Sequence, residues 1–225
     1  MPLGARHMRL VMIDNYDSFT YNLVQLFAEF EVETLVFRHD QVSLEHLASL
    51  KPQWICISPG PKDPAHAGIS RQVVECFGER TPLLGVCLGM QVINETFGGR
   101  TARAPLPMHG KASRVFHHGQ GIFAGLPSPF LAARYHSLQV ILSGDDLTPL
   151  AQAEDGVVMG LCHVQWPIWG VQFHPESFFT EHGLAMTHNF LNLAPGFAAE
   201  PPLATSQQGR FPRWRQAPQA LGGRL

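Results

Sequence analysis

Four short apolar runs recur along the first part of the chain, at residues 10–13, 34–37, 54–57 and 83–86. Helix-patterned stretches separate or follow them. Residues 18–30 place Leu23, Leu26, Phe27 and Phe30 on one face, and residues 43–50 open on Ser43 and His46. Residues 70–77 form the third such stretch, and residues 88–97 the fourth, closed by Gly98 and Gly99. Strands of four residues that are apolar throughout have no face to give to water. Separated by helices, they predict an α/β fold: an open, mainly parallel twisted sheet with helices on both faces. After Arg100 the rhythm changes to short alternating segments and turns, which predict antiparallel strands added at an edge. Residues 181–193 predict a closing helix.

In such sheets ligands bind outside the carboxyl ends of the strands. Asp14, Ser58 and Cys87 each follow one of the apolar runs. Cys87 lies in Gly85-Val86-Cys87-Leu88-Gly89, a nucleophile flanked by glycines at i−2 and i+2. That is the pattern of a strained strand-to-helix elbow whose glycines let the chain turn sharply. A helix dipole there favours the thiolate form of a cysteine. Far along the chain, His174-Pro175-Glu176 follows the alternating run Trp169-Gly170-Val171-Gln172-Phe173. A histidine can hold a thiol as thiolate and a carboxylate can orient the histidine, so the two segments together make a Cys-His-Glu constellation. Taken singly, a cysteine in an apolar run is ordinarily an inert core residue, and His-x-Glu is ordinarily loop chemistry. In the third segment, Ser58-Pro59-Gly60-Pro61, the bent, glycine-opened backbone can point an N–H group at a ligand.

Composition narrows the function classes. The chain has 225 residues, a formal net charge of −2 and 15% charged residues. A balance so near neutral gives no footprint for nucleic acid or an anionic membrane, and no run reaches the ~18 apolar residues of a bilayer span. Cys56, Cys76, Cys87 and Cys162 make neither a CxxC pair nor a disulfide-like spacing. This implies a reducing, cytoplasmic setting with Cys87 as the reactive thiol. The spacing of His109, His117, His118 and His136 matches no zinc pattern, so no metal site is expected. Residues 1–8 read as an N-terminal extension without a signal-peptide core, residues 9–195 as one domain, and residues 196–225 as a tail expected to be disordered.

Six segments recur in an order that carries a resemblance. They are Asp14-Asn15-Tyr16-Asp17-Ser18-Phe19-Thr20-Tyr21-Asn22, Ser58-Pro59-Gly60-Pro61, Gly85-Val86-Cys87-Leu88-Gly89-Met90-Gln91, His109-Gly110-Lys111, Arg134-Tyr135-His136-Ser137-Leu138 and Gly170-Val171-Gln172-Phe173-His174-Pro175-Glu176-Ser177. The chain resembles the class I, triad-type glutamine amidotransferases, whose sheet is flavodoxin-like. Within them it is similar to the small (component II) subunits of anthranilate and aminodeoxychorismate synthases. Lys62 departs from the pattern, standing where many relatives carry glycine or a small residue.

The resemblance implies a glutaminase subunit. Cys87 would attack the carboxamide of L-glutamine, His174 would move the proton and Glu176 would orient His174. Backbone N–H groups of Gly60 and Leu88 would hold the oxyanion. Pro59, Gly60, Gln91, His136, Ser137 and Leu138 would line the glutamine pocket. The resemblance implies no cofactor in this chain. Its implied partner is a chorismate-binding synthase subunit, itself needing Mg, with Asp14 to Asn22 shaping the rim that faces it. The product would be aminodeoxychorismate for folate synthesis, anthranilate for tryptophan synthesis, or both. The rival readings are a cysteine hydrolase of another small-molecule pathway and a non-catalytic regulatory subunit of the same fold.

Overall fold

The computed structural model describes residues 8–193 apart from Glu31 and His109. The expected extension other than Met8, the expected tail 196–225 and His109 of the fourth motif lie outside the described residues. Five parallel strands form one half of a nine-stranded sheet, in the order β2 (Glu33–Arg38), β1 (Arg9–Asp14), β3 (Trp54–Ile57), β4 (Leu83–Val86) and β11 (Ile168–Val171). Antiparallel strands continue from β11 as β10 (Val158–His163), β9 (Leu147–Ala153), β6 (Lys111–His117) and β7 (Phe130–Arg134). The α/β class and the antiparallel addition match the sequence-based expectation. One pair differs: β5 (Arg100–Arg103) and β8 (Leu138–Ile141) make a separate two-stranded sheet.

The inner strands of the parallel half are covered on both faces, which is why β3, β4 and β11 are buried at every position whereas the edge strand β2 is not. Side chains alternate along β1. Leu10 and Met12 enter one core with Leu23 and Phe27 of α1 (Thr20–Ala28) and Met186 and Phe190 of α5 (Gly183–Asn192). Val11 and Ile13 enter the other. There they meet Leu47 of α2 (Leu44–Ser49), Val73 and Val74 of α3 (Ser70–Phe77), and Met90 and Ile93 of α4 (Leu88–Thr96). Each such side chain contributes about 1.5–3 kcal/mol when fully buried. One polar substitution on either face of β1 would therefore forfeit a large part of a domain's net stability.

Two local expectations are corrected. Helix α1 starts at Thr20, not at residue 18, because acidic side chains hold the preceding residues in turns. Asp14 Oδ1 accepts from the Tyr16 amide at 2.9 Å and from Thr20 Oγ1 at 2.8 Å, and Asp17 Oδ1 accepts from the Phe19 amide at 2.8 Å. Strand β11 is buried at every position rather than alternately, because it lies between β4 and β10 inside the sheet. Ser43 caps α2 by accepting the His46 amide at 3.2 Å, as its position predicts.

Candidate active site

The elbow forms where β4 ends and α4 begins. Cys87 itself takes the strained backbone, with φ 53° and ψ −101°. A non-glycine residue in such a region costs on the order of 1–3 kcal/mol and persists only where its surroundings hold it. Here the Cys87 amide donates to Val171 O at 2.8 Å and the Cys87 carbonyl accepts from the Gln91 amide at 3.2 Å. The flanking glycines do not make the turn, contrary to the sequence-based expectation. They permit contact: a Cβ on Gly85 would lie 2.5 Å from the Gly89 carbonyl carbon, and one on Gly89 would lie 2.3 Å from Ile57 O. Helix α4 thus presses against β3 and β4 and leaves the thiol at the sheet's carboxyl edge, 8% exposed.

His174 arrives from the loop after β11, where its amide donates to Ala133 O at 3.1 Å and its carbonyl accepts from Thr180 Oγ1 at 2.6 Å. Its Nδ1 lies 2.6 Å from Glu176 Oε1, with both side chains buried. Nε2, the other ring nitrogen, is buried and makes no hydrogen bond among the described residues. Burial works against the imidazolium, but interactions with Cys87 and Glu176 outweigh it and raise the His174 pKa to about 10. The site therefore holds a proton on His174 at neutral pH. Burial pushes the Cys56 thiol up, with the nearby Glu176 charge adding to it, and burial alone pushes Cys162 up to about 11. Neither of these thiols is suited to attack at neutral pH.

Gln172 stands two residues before His174, fully buried. Its Nε2 donates to Cys87 Sγ at 3.5 Å, and its Oε1 accepts from Gln91 Nε2 at 3.2 Å. Gln91, expected in the pocket from its motif, is thus tied by its amide to the residue that touches Cys87. The sequence motifs alone give Gln172 no role. The one sequence signal is its place two residues before His174 in the last motif segment.

The Ser58-Pro59-Gly60 turn comes up beside the elbow. A Cβ on Gly60 would lie 2.6 Å from Leu88 Cδ2 and 2.6 Å from Asn15 Cβ. Leu88 is the first residue of α4, so its N–H is among those that a helix leaves without an internal acceptor. Lys62 adopts φ 70° on the exposed rim, a conformation that costs glycine nothing.

The His136-Ser137-Leu138 segment closes the site on the side of β7. Arg134, 1% exposed, pairs with Asp155 at 2.8 Å, and its Nε donates to His136 Nε2 at 3.0 Å. His136 Nδ1 then carries the ring proton and donates to Leu138 O at 2.8 Å. Burial, together with the Arg134 charge, pushes His136 down to about 4, so it is neutral, and it lies near enough to His174 to feel that charge. The Ser137 carbonyl accepts from the Ala104 amide at 2.8 Å. Phe19 and Tyr135, which likewise gain no catalytic or pocket role from sequence, pack their rings against His174.

His117 is engaged through Nε2 with Pro127 O at 2.8 Å and through Nδ1 with the Gly119 amide at 3.0 Å. Among the described residues no group of three or more His, Cys, Asp or Glu side chains could hold a metal ion, and no helix is long and apolar enough to cross a membrane.

The family model for glutamine amidotransferase class-I matches residues 11–194. Anthranilate synthase component 2 of Thermus thermophilus is 49% identical over 191 residues, covering 84% of this chain and 94% of the relative. Aminodeoxychorismate synthase component 2 of Escherichia coli is 46% identical over 187 residues, covering 81% and 99%. Among solved structures, a GMP synthase subunit protein from Thermoplasma acidophilum superposes with a TM-score of 0.75 at 26% identity, covering 84% of this chain and 94% of that one. With an elbow cysteine, a paired histidine and glutamate, and these relatives, the chain belongs to the class-I glutamine amidotransferase family.

Proposed function

We propose that this chain is the glutaminase subunit of a chorismate-aminating synthase. The observation that carries the reading is the buried triad: a strained Cys87 at a helix start, with His174 protonated beside it and held by Glu176 at 2.6 Å. In this reading Cys87 attacks the γ-carboxamide of L-glutamine as the thiolate. Gly60 and Leu88 N–H groups hold the oxyanion, each donor contributing about 10²–10³ in rate. His174 gives its proton to the departing ammonia. It then takes one from water as that water hydrolyses the glutamyl thioester, so glutamate leaves and the thiolate is restored.

The pocket assignments follow from polarity. The carbonyls of Ser137 and Leu138 are already engaged, so this segment's N–H groups are what suits the substrate α-carboxylate. Pro59 and Gly60 form the wall beside the elbow, and His136 acts through the shape of its segment, since a neutral ring bonded at both nitrogens has no proton to give. Gln91 reaches the substrate region from the first turn of α4 while bonded to Gln172. The chemistry assigned to this chain uses side chains, backbone N–H groups and water, and Mg is left to the larger synthase component. The partner binds chorismate, and ammonia passes to it within a hetero-oligomer in the cytoplasm. The relatives include subunits named for anthranilate synthase, for aminodeoxychorismate synthase and, in Bacillus subtilis, for both. Product formation for folate, tryptophan or both is therefore set by which large subunit docks.

The test is Cys87→Ser in complex with the chorismate-binding subunit. Glutamine-dependent product formation is expected to vanish while ammonia-dependent synthesis persists. Equal loss of both, in a folded and partner-bound variant, would refute the division of labour.

A further inference from the structure

We propose that Ser58, oriented by Asn15, is a positioning residue that latches the Pro59–Gly60 peptide so that the Gly60 N–H faces the reacting carbonyl. The inference rests on the reading of Gly60 as an oxyanion donor and goes beyond it, because it names what fixes the donor's direction.

Ser58 is fully buried where β3 ends, and its Oγ lies between two groups. It accepts from the Asn15 amide at 2.9 Å and donates to Pro59 O at 2.6 Å. With the Asn15 N–H on one lone pair, the hydroxyl proton is free for the Pro59 carbonyl. A trans peptide is planar, with C=O and N–H on opposite sides. Holding Pro59 O towards Ser58 therefore sends the Gly60 N–H the other way, out of the turn. The relay runs from the Asn15 N–H through the Ser58 hydroxyl and the Pro59 carbonyl to the Gly60 N–H. Turning that peptide over would break the 2.6 Å bond and strand a buried hydroxyl.

Asn15 makes the latch rigid. It is 2% exposed, its Nδ2 donates to Ser58 O at 3.0 Å, and its Oδ1 accepts from Ser70 Oγ at 3.1 Å. One side chain thus joins the ends of β1 and β3 to the first residue of α3. The Asn15 backbone carbonyl oxygen would lie 2.9 Å from a Cβ on Gly60, so the turn is seated directly against Asn15. A strut that served folding alone would have no need to act on the peptide that carries the Gly60 donor.

The experiment uses the complex with the chorismate-binding partner and compares wild type, Ser58→Ala, Ser58→Thr and Asn15→Ala. Losing a preorganised oxyanion donor costs about 10²–10³ in kcat, and losing only its latch costs part of that. Ser58→Ala is expected to lower kcat for glutamine hydrolysis by about 10–100-fold, with KM within about twofold. Ser58→Thr, which keeps the hydroxyl, should recover most of the rate. Asn15→Ala, which keeps the backbone N–H hydrogen bond to Ser58 Oγ but loosens the turn, should fall between them. Alkylation of Cys87 by iodoacetamide, followed on its peptide by mass spectrometry, should proceed at the wild-type rate in all four, because the triad is untouched. A raised KM with unchanged kcat in Ser58→Ala would overturn the proposal, as would alkylation slowing in step with kcat. If Ser58→Ala does not fold, wild-type kcat in a folded Asn15→Ala would overturn it too. A wild-type complex that releases no glutamate would instead fail the underlying glutaminase reading, an outcome distinct from an active wild type with unaffected variants.

Discussion

The Phe19 ring meets the His174 imidazole at a centroid distance of 5.3 Å and an interplanar angle of 66°. Tyr135 meets the same imidazole at 5.1 Å and 80°, and the Phe19 and Tyr135 rings stand 5.2 Å from each other. The three rings form a triangle that leaves His174 only 2% exposed. In the proposed chemistry an imidazole that gives up a proton in one step and takes one in the next gains from such a wall, which limits bulk water and fixes the ring plane. Phe19 comes from the turn before α1, so the element expected to shape the partner-facing rim also touches His174.

Replacing Phe19 by Ala should therefore reduce kcat more than it raises KM. Aromatic pairs contribute about 0.5–1.5 kcal/mol beyond their area, which corresponds to roughly a 2–10-fold loss of rate. Phe19→Leu, which keeps bulk without the ring geometry, should lie between the two. Steady-state glutamine hydrolysis by the partnered complex measures both, and wild-type kcat in Phe19→Ala would show that the wall is dispensable.

Glu176→Gln should be far less damaging than Cys87→Ser or His174→Ala. The carboxylate lies 2.6 Å from His174 Nδ1 and takes no part in bond making. Its substitution changes the ring's orientation and the support for its positive charge. Orienting carboxylates in comparable triads account for about 10⁴ in kcat, against about 10⁶ for the nucleophile or base. Single-turnover release of glutamate resolves the ranking, and a Glu176→Gln variant as inactive as Cys87→Ser would require a more direct role for the carboxylate.

These two cases show where sequence is informative. Cys87 and the His174–Glu176 pair are legible because their chemistry is written in spacings of two residues, within one elbow and one loop. The parallel half of the sheet is legible because strands covered on both faces must be apolar throughout, as residues 10–13 and 54–57 are. Phe19 against His174 is not legible, since it joins segments far apart in sequence that meet only when β1 and β11 enter one sheet. Nor is the backbone strain at Cys87: the pattern names the glycines, whereas packing of α4 against Ile57 decides that they serve contact and that the cysteine turns. The Asp155–Arg134–His136 chain is hidden for the same reason, because residues 134 and 155 become neighbours only through strand pairing.

That chain makes stability depend on pH. His136 is pushed down to about 4 in the fold, chiefly by burial, against an ordinary value near 6.5. The unfolded chain therefore binds an extra proton between these values, so stability contributed here is complete above about pH 6.5 and is lost as pH falls towards 4. A shift of that size corresponds to about 3 kcal/mol at most. The melting temperature should rise from pH 4.5 to pH 6.5, and His136→Gln should flatten that rise. A variant with the full wild-type slope would assign the dependence to other groups.

Gln172 offers the sharpest test of what surrounds the nucleophile. Its Nε2 is 3.5 Å from Cys87 Sγ and its Oε1 holds Gln91, so one buried amide connects the thiol to the first turn of α4. Gln172→Leu keeps the volume roughly but removes a neutral donor to sulfur and leaves the Gln91 amide without its partner. A lost hydrogen bond of this kind is worth about 0.5–1.5 kcal/mol, and kcat should fall about 2–10-fold. Gln172→Glu brings a carboxylate beside a sulfur that must carry negative charge. Like charges about 4 Å apart repel by about 1–4 kcal/mol between water and a protein surface. The glutamate variant should therefore lose at least about fivefold more rate than the leucine variant. It should also slow iodoacetamide alkylation of Cys87 at neutral pH, which the leucine variant should barely change. Equal losses in both variants, with equal alkylation, would mean that Gln172 acts by packing alone and that its amide does nothing for the thiolate.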